Sequence, residues 1–435
     1  MAAQWTSLLC AGLALSCVAA PAHAQLQSSA LPEFNGPVTA SAVIADTVYV
    51  AGTFSFAGHP SGSGVPIDVT TGLVPAGTAR VAGSVFTSVP DGAGGWYVGG
   101  DFTLVGGVPR AHLARVRSDG TLAPWNPGAD GPVHALVVDG GRVYVGGAFA
   151  HVAGSVRANL AAVDASTGAI VAWDPSADGT VRSLALAGTR LFAGGRFRIA
   201  GGAARTHVAA IDVASGVATA WNPGIDTAGT VLALAVNGSV VYVGGAFAQA
   251  GGVPRANLAS IHATTGVTLA WAPGPNDVVN AIAVDDITVY IGGLFNHVGP
   301  FARKALASID ATTAAVNPWS PAFTGTGVNT LALDGTNLYV GGLFTNISGQ
   351  PRTHAAALVL ASGAALSWNP RLDGEVFALS PAGGAIYVGG SFLWAVTGAR
   401  NGFAAVQATT GALLPWNPPQ VAGTVETMLT NGTTI

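Results

Sequence analysis

The chain is poor in the residues that most often carry chemistry. Its 435 residues include two cysteines, Cys10 and Cys17, both within the first 24 positions. The rest has no thiol, which excludes disulfide staples, thiolate catalysis and cysteine ligation of metals there. Lys304 is the one lysine, and Glu33, Glu375 and Glu426 are the only glutamates. Charged residues make up 9% and the net charge is −4. Nothing in this balance supplies the basic stripe that a nucleic-acid backbone needs, so no nucleic-acid partner is expected. No H-E-x-x-H, G-x-S-x-G or P-loop pattern occurs. Beyond the N-terminus no apolar run is long enough to span a bilayer.

The two cysteines sit in a stretch that reads as a cleavable signal peptide over residues 1–24. Leu8 to Ala20 form an apolar run, Pro21 breaks it, and Ala22-His23-Ala24 is an A-x-A cleavage site. The run lacks a preceding Lys or Arg, and Ala14-Leu15-Ser16 fits poorly before a lipid-modified Cys17. The expectation is a secreted, periplasmic or cell-surface protein whose residues 25–435 form one domain.

What the chain has in abundance is glycine, 61 residues, and a repeat that uses it. An aromatic, an apolar or small residue, a small pair, one free residue and a phenylalanine recur roughly every 48 residues, the spacing of a repeat architecture. The copies end at Phe54, Phe102, Phe149, Phe197, Phe247, Phe295, Phe344 and Phe392, most reading like Tyr144-Val145-Gly146-Gly147-Ala148-Phe149. In the unit 131–178, Val133 to Val138 is an apolar run and Asp139-Gly140-Gly141 a turn. Arg142 to Phe149 follows as a second strand and Leu160 to Val163 as a third. Asp164 to Gly168 is a hairpin turn, and Ala169 to Trp173 a fourth strand closed by Asp174-Pro175. Four short strands repeated at this period predict an all-β fold, a β-propeller of about eight four-stranded blades. The last partial repeat is 421–435, so either a surplus strand packs on an eight-bladed ring or a final blade lies beyond Ile435.

The Tyr-Val-Gly-Gly-x-Phe cores resemble those of the bacterial delta-60 repeat family, and the likeness runs over residues 36–432. It implies an exported propeller at or outside the cell surface, with no established activity; a fungal cell-cortex polarity protein uses similar repeats. The run from Ala162 to Gly168 and on to Trp173 also looks like the tryptophan motif of quinoprotein dehydrogenases. That likeness implies pyrroloquinoline quinone and calcium, often with a disulfide between adjacent cysteines. Residues 25–435 cannot make such a disulfide and hold few of the acidic groups expected, so the likeness is read as shared blade geometry.

Recurring residues are read as structural first. Trp125, Trp173, Trp221, Trp271, Trp319, Trp368 and Trp416 hold one repeat position, which suits wedges between blades better than sugar platforms. Arg110, Arg157, Arg205, Arg255, Arg303, Arg352 and Arg400 hold another, and are expected to pair on one rim with Asp130, Asp178, Asp226, Asp277 and Asp373; the alternative is an anion-binding collar. Within Asn/Asp-Pro-x-x-Asp segments, Asp130, Asp178, Asp226 and Asp373 are weak calcium candidates, because Asx-turns use the same residues without metal. His112, His207 and His354 share a slot with Asn159 and Asn257, so no catalytic residue is assigned.

Function is expected where the units disagree. The second residue of the innermost strand varies through Thr39, Phe86, His134, Arg182, Leu232, Asn280, Asn329 and Phe377. Ligand-binding candidates at the channel mouth and rim are therefore His134, Arg182, Asn280, Asn329 and the loop residue Trp394. The expected protein is a monomeric binding or surface-scaffold module for a protein or glycan at the cell surface. No cofactor is assigned, calcium being the one considered. The alternative is a glycan-binding, lectin-like domain or an enzyme, such as a polysaccharide lyase or quinoprotein relative, with its site at the channel mouth.

Overall fold

The computed structural model describes residues 61–395, apart from 71, 72 and 76, together with 33–34, 37–44, 47–52, 57–58 and 403–407. The leader 1–24, Phe54, Arg400, Trp416 and the partial repeat 421–435 lie outside these residues. All regular structure among the described residues is strand, and no helix there is long and apolar enough to cross a membrane.

The unit at 131–178 shows the pattern. Val133–Asp139 is the inner strand, Arg142–Gly147 the middle one and Leu160–Asp164 the third, antiparallel in that order. The first hairpin turns at Gly140 and Gly141, with φ of 53° and 80°. Positive φ at both central positions matches the right-handed twist of the flanking strands and favours glycine. In the middle strand Val143 and Val145 on one face and Tyr144 on the other are all essentially inaccessible. A strand buried on both faces belongs to a sheet sandwiched between two others.

The fourth strand departs from expectation. Where Ala169 to Trp173 should form a ladder, a single bridge joins Ile170 to Val163. The same reduction occurs at Leu122, Ala218, Thr268, Val316 and Ala365. The physical reason is competition for the backbone. The Arg157 guanidinium donates to the Val171 carbonyl, and the chain then swings Trp173 toward the next sheet, where its indole donates to the Asp212 carbonyl.

Seven sheets follow one another with inner strand packed on inner strand. These strands are Val81–Pro90, Val133–Asp139, Val181–Ala187, Thr230–Asn237, Val279–Val284, Phe323–Asp334 and Val376–Ala382, and the last packs on the first. The glycine pair makes this approach possible. A Cβ on Gly146 would lie 2.6 Å from Val181 Cγ1 of the next sheet, and one on Gly147 would lie 2.3 Å from the Pro132 carbonyl oxygen. The first glycine admits the neighbouring valine and the second admits the sheet's own inner strand. At the seam, a Cβ on Gly389 would meet Val85 at 2.4 Å, the same contact between the seventh sheet and the first.

The repeats at the two ends exchange third strands. Gly64–Asp68 pairs with Ala385–Gly390 and completes the seventh sheet, with Val65 and Ile67 fully buried. Phe403–Gln407 pairs instead with Thr47–Gly52, which itself pairs with Val38–Ile44. Among the described residues eight sheets of three or four strands occur, and seven of them form the circuit. Among the described residues no packing of comparable extent joins the eighth sheet to it.

Replacing Gly146 by Ala should cost about 1–3 kcal/mol, the usual penalty for overpacking. Val181→Ala in the same chain should recover part of that loss; denaturant titration showing Gly146→Ala as stable as wild type would refute the close-approach argument. A fragment of residues 61–395 should melt cooperatively. Trimming it further to 77–395 strips away Val65 and Ile67, whose burial contributes roughly 1.5–3 kcal/mol each, and calorimetry should show a clear drop.

Candidate functional site

Each inner strand carries a bulge, and the variable residue sits on it. Register shifts fall between Val85 and Thr87, Val133 and Ala135, Val181 and Ser183, Val231 and Ala233, Val279 and Ala281, Val328 and Thr330, and Val376 and Ala378. The residue bracketed in each case is Phe86, His134, Arg182, Leu232, Asn280, Asn329 or Phe377. A bulge re-aims one side chain out of the alternating pattern, and bulges gather beside functional sites. The eighth sheet repeats the device between Val38 and Ala40, around Thr39.

Five of these side chains meet in two groups around the circuit. Phe86 stacks on His134, with centroids 5.2 Å apart and planes 19° apart, and meets Phe377 edge-on at 5.6 Å. On the opposite arc, Asn280 donates to the Val328 carbonyl at 3.1 Å and approaches Asn329 Oδ1 at 3.5 Å. Asn329 in turn donates to Glu375 Oε1 at 2.8 Å and to the Val376 carbonyl at 3.1 Å. The collar thus has an aromatic arc and an amide-carboxylate arc, with exposed Arg182 between them. Sequence reasoning missed Glu375, although its rarity as one of three glutamates was a usable signal.

Burial, reinforced by the charge of Arg182, lowers the His134 pKa to about 4. Its ring is neutral near pH 7 and presents an aromatic face together with one donor and one acceptor nitrogen.

Trp394 requires a correction. Its indole is 4% exposed, and its backbone amide donates to Asp373 Oδ1 at 3.0 Å, so it offers no open stacking face. The recurring tryptophans are wedges, as expected. Trp125, Trp173, Trp221 and Trp271 each donate from the indole to a carbonyl of the following sheet, at 2.9–3.0 Å. Each also packs edge-on against Tyr97, Tyr144, Phe192 or Tyr242 of its own repeat. The shared histidine and asparagine slot is a backbone requirement: His112, Asn159, His207, Asn257 and His354 all have φ between 59° and 65°. Asn and His tolerate this left-handed region better than most residues.

Among the described residues none of the recurring arginines pairs with Asp130, Asp178, Asp226, Asp277 or Asp373; Arg157 pairs instead with Asp174, at 3.5 Å. Arg157, Arg255, Arg303 and Arg352 each donate to the carbonyl just before them and to one 14 residues later. Arg205 follows the same scheme with Ala204 and Thr219, and Arg110 with Pro109 and Ala123. Their guanidiniums take the carbonyls that the shortened fourth strand leaves open. The aspartates cap loops instead. Asp130, Asp178, Asp226 and Asp373 each accept two consecutive backbone N–H groups on one carboxylate oxygen. Burial raises the Asp130 pKa, but bonds from the His151 amide, the His151 ring and the Ala150 amide outweigh it and hold the value at about 2. A carboxylate committed to amide donors suits loop capping, and no cluster of three metal-ligating side chains occurs among the described residues.

One cleft lies outside the collar. It measures about 230 Å³ and is lined by Asp178, Arg196, Phe197, Arg198, His207 and Thr227. Phe197 is buried, whereas Arg196 and Arg198 on either side of it are exposed.

The sheets, bulges and inter-sheet contacts define an all-β protein of β-propeller type. Residues 94–122 match a family described as a domain of unknown function, the DUF5122 β-propeller. No curated protein sequence matches the chain. Among solved structures, the chain is similar to a computationally designed protein, Ika8, with a TM-score of 0.50 and 16% identity over 83% of this chain and 98% of that one. It is similar as well to the WD40 β-propeller domain of Doa1, with a TM-score of 0.50 and 12% identity over 72% of this chain and 90% of that domain. At these identities the likeness concerns fold alone.

The folded His134 pKa lies below the ordinary value of 6.5, so the unfolded chain binds the extra proton first as pH falls. Its contribution is fully present above pH 6.5 and lost progressively toward pH 4. Burial lowers His354 in the same direction. The melting temperature should therefore fall over this range, and His134→Gln should fall less steeply; parallel melting curves for the two proteins would contradict the assignment.

Proposed function

We propose that the chain is an exported β-propeller serving as a binding or surface-scaffold module, with its ligand at the channel mouth. The observation that carries this reading is the collar. A near-uniform repeat places a bulge at the same point in every sheet, yet the residue on the bulge varies among Phe, His, Arg, Leu and Asn around the circuit. Uniform backbone with divergent side chains is what a binding surface on a rigid scaffold requires. The Tyr-Val-Gly-Gly-x-Phe cores support membership of the delta-60 repeat family, with eight repeat units as propeller blades. The apolar run and A-x-A site at residues 1–24, with no cysteine afterwards, support export to the periplasm, cell surface or medium.

A lectin-like reading has its own support, because Phe86, Phe377 and His134 offer apolar faces beside the amides of Asn280 and Asn329. A quinoprotein or lyase reading needs free acidic groups at the mouth, where Glu375 already accepts a bond from Asn329.

A thermal-shift screen with calcium, pyrroloquinoline quinone and a panel of surface glycans tests the reading, since a ligand that binds only the folded state raises its melting point. A glycan should raise the melting temperature of the wild type, while Phe86→Ala and Asn329→Ala should abolish that shift. Stabilisation by calcium or quinone would favour an enzyme, and a glycan shift retained in both variants would place the ligand elsewhere.

A further inference from the structure

We infer that the blade built on Val181–Ala187 and Arg190–Gly195 is an oxyanion-binding face that takes the carboxylate or sulfate groups of an acidic polysaccharide. This inference rests on the reading of the channel mouth as a ligand site and names the class of ligand. Most of the arginines are already occupied. Arg110, Arg157, Arg205, Arg255, Arg303 and Arg352 donate from their guanidiniums to backbone carbonyls, and Arg157 also pairs with Asp174. Arg190 does likewise, donating to the Ala263 carbonyl. Arg182, Arg196 and Arg198 make no side-chain hydrogen bond or ion pair among the described residues, and all three are exposed.

Register places Arg182 on one strand and Arg196 just past the end of the adjoining one. Val181 pairs with Gly195, so Arg182 and Arg196 each adjoin one cross-strand pair. Arg196 and Arg198 flank buried Phe197 and line the same cleft. Other repeats have no basic residue at these two positions: Asp101 and Thr103, Ala148 and Ala150, Ala246 and Ala248, Leu294 and Asn296, Leu343 and Thr345, Ser391 and Leu393. The basic pair is therefore not required by the blade.

The cleft's size and chemistry narrow the ligand. At about 230 Å³ it falls below the roughly 300–1,000 Å³ of a pocket that engulfs a drug-sized molecule, so it takes a charged substituent of something larger. Two unpaired guanidiniums suit a planar or tetrahedral oxyanion, which they can grip with paired N–H donors. The one acidic wall, Asp178, already accepts the Arg198 and Ile199 amides at 2.7 and 2.9 Å. His207 is 3% exposed and faces the Thr227 carbonyl, so it serves as wall rather than donor. The collar beside Arg182 then offers aromatic faces and amides, which suit the uncharged body of a saccharide. The overall charge of −4 leaves no extended basic track for a continuous phosphodiester backbone.

Calorimetric titration of the full chain with oligogalacturonate, sulfated dextran oligosaccharide and neutral maltooligosaccharide tests this. The wild type should bind at least one acidic oligosaccharide more tightly than the neutral one, and the better of the two identifies carboxylate or sulfate as the group held. Arg196→Ala/Arg198→Ala should weaken that binding at least tenfold with an unchanged melting temperature, because neither side chain has a partner to lose; Arg117→Ala on a distant hairpin should bind as the wild type does. Equal binding of the neutral chain, or wild-type affinity in the double variant, would overturn the inference. If Asn329→Ala still lost binding in that second case, the channel-mouth reading would survive it. Absence of binding to both acidic chains would also overturn it, leaving the channel-mouth reading to the thermal-shift screen.

Discussion

The structure depends on one close approach: a valine of each inner strand against the first glycine of the preceding sheet's middle strand. Gly99 meets Val133, Gly146 meets Val181, Gly194 meets Val231, Gly244 meets Val279, Gly292 meets Val328, Gly341 meets Val376 and Gly389 meets Val85. In every case a Cβ would come within 2.8 Å of the valine Cγ1. Packing density in protein interiors leaves no slack at such distances. The glycine–valine contact therefore sets how near successive sheets come. The Gly389–Val85 contact carries the same rule across the point where the chain's two ends meet.

The second glycine explains why the inner strand can bulge where it does. Its hydrogen takes the place a side chain would need, and the carbonyl just before the bulge moves in, as the Pro132 oxygen does above Gly147. Structural uniformity and chemical diversity are thus two products of one local feature. The backbone distortion is identical around the circuit and nearly cost-free in side-chain terms, which leaves the bulge residue free to be Phe, His, Arg, Leu or Asn. The collar's split into an aromatic and an amide arc follows from which residue each repeat carries at that point.

Much of this was legible in the residues themselves. The period and turn glycines announced the sheets, and the position of greatest variation pointed to what proved to be the bulge. Recurrence correctly marked the tryptophans and the histidine slot as structural. The arginines and aspartates were harder to read. Both recur and both carry charge, so mutual pairing was the natural expectation, but apart from Arg157 with Asp174 the partners are mostly backbone groups. A sequence displays charges but not which carbonyls are open, and the carbonyls of the shortened fourth strand take the guanidiniums. Trp394 misled for a related reason, since an aromatic in a variable loop looks exposed until its neighbours are placed.

The sequence by itself determined the local grammar: strand, turn, glycine pair and tryptophan wedge, in full in most of the eight repeats. Each of these depends on interactions within one repeat or with the next, which periodicity exposes. Tertiary structure alone decided which third strand completes which sheet at the two ends. Gly64–Asp68 and Phe403–Gln407 are equivalent pieces of the repeat, and either fits the edge of a middle strand by backbone hydrogen bonds that carry no sequence code. Only the geometry of closing the circuit, with Val85 seated on Gly389, distinguishes them. Strand pairing across Val181 and Gly195 likewise decided that Arg182 and Arg196 adjoin one cross-strand pair, bringing together what the chain separates.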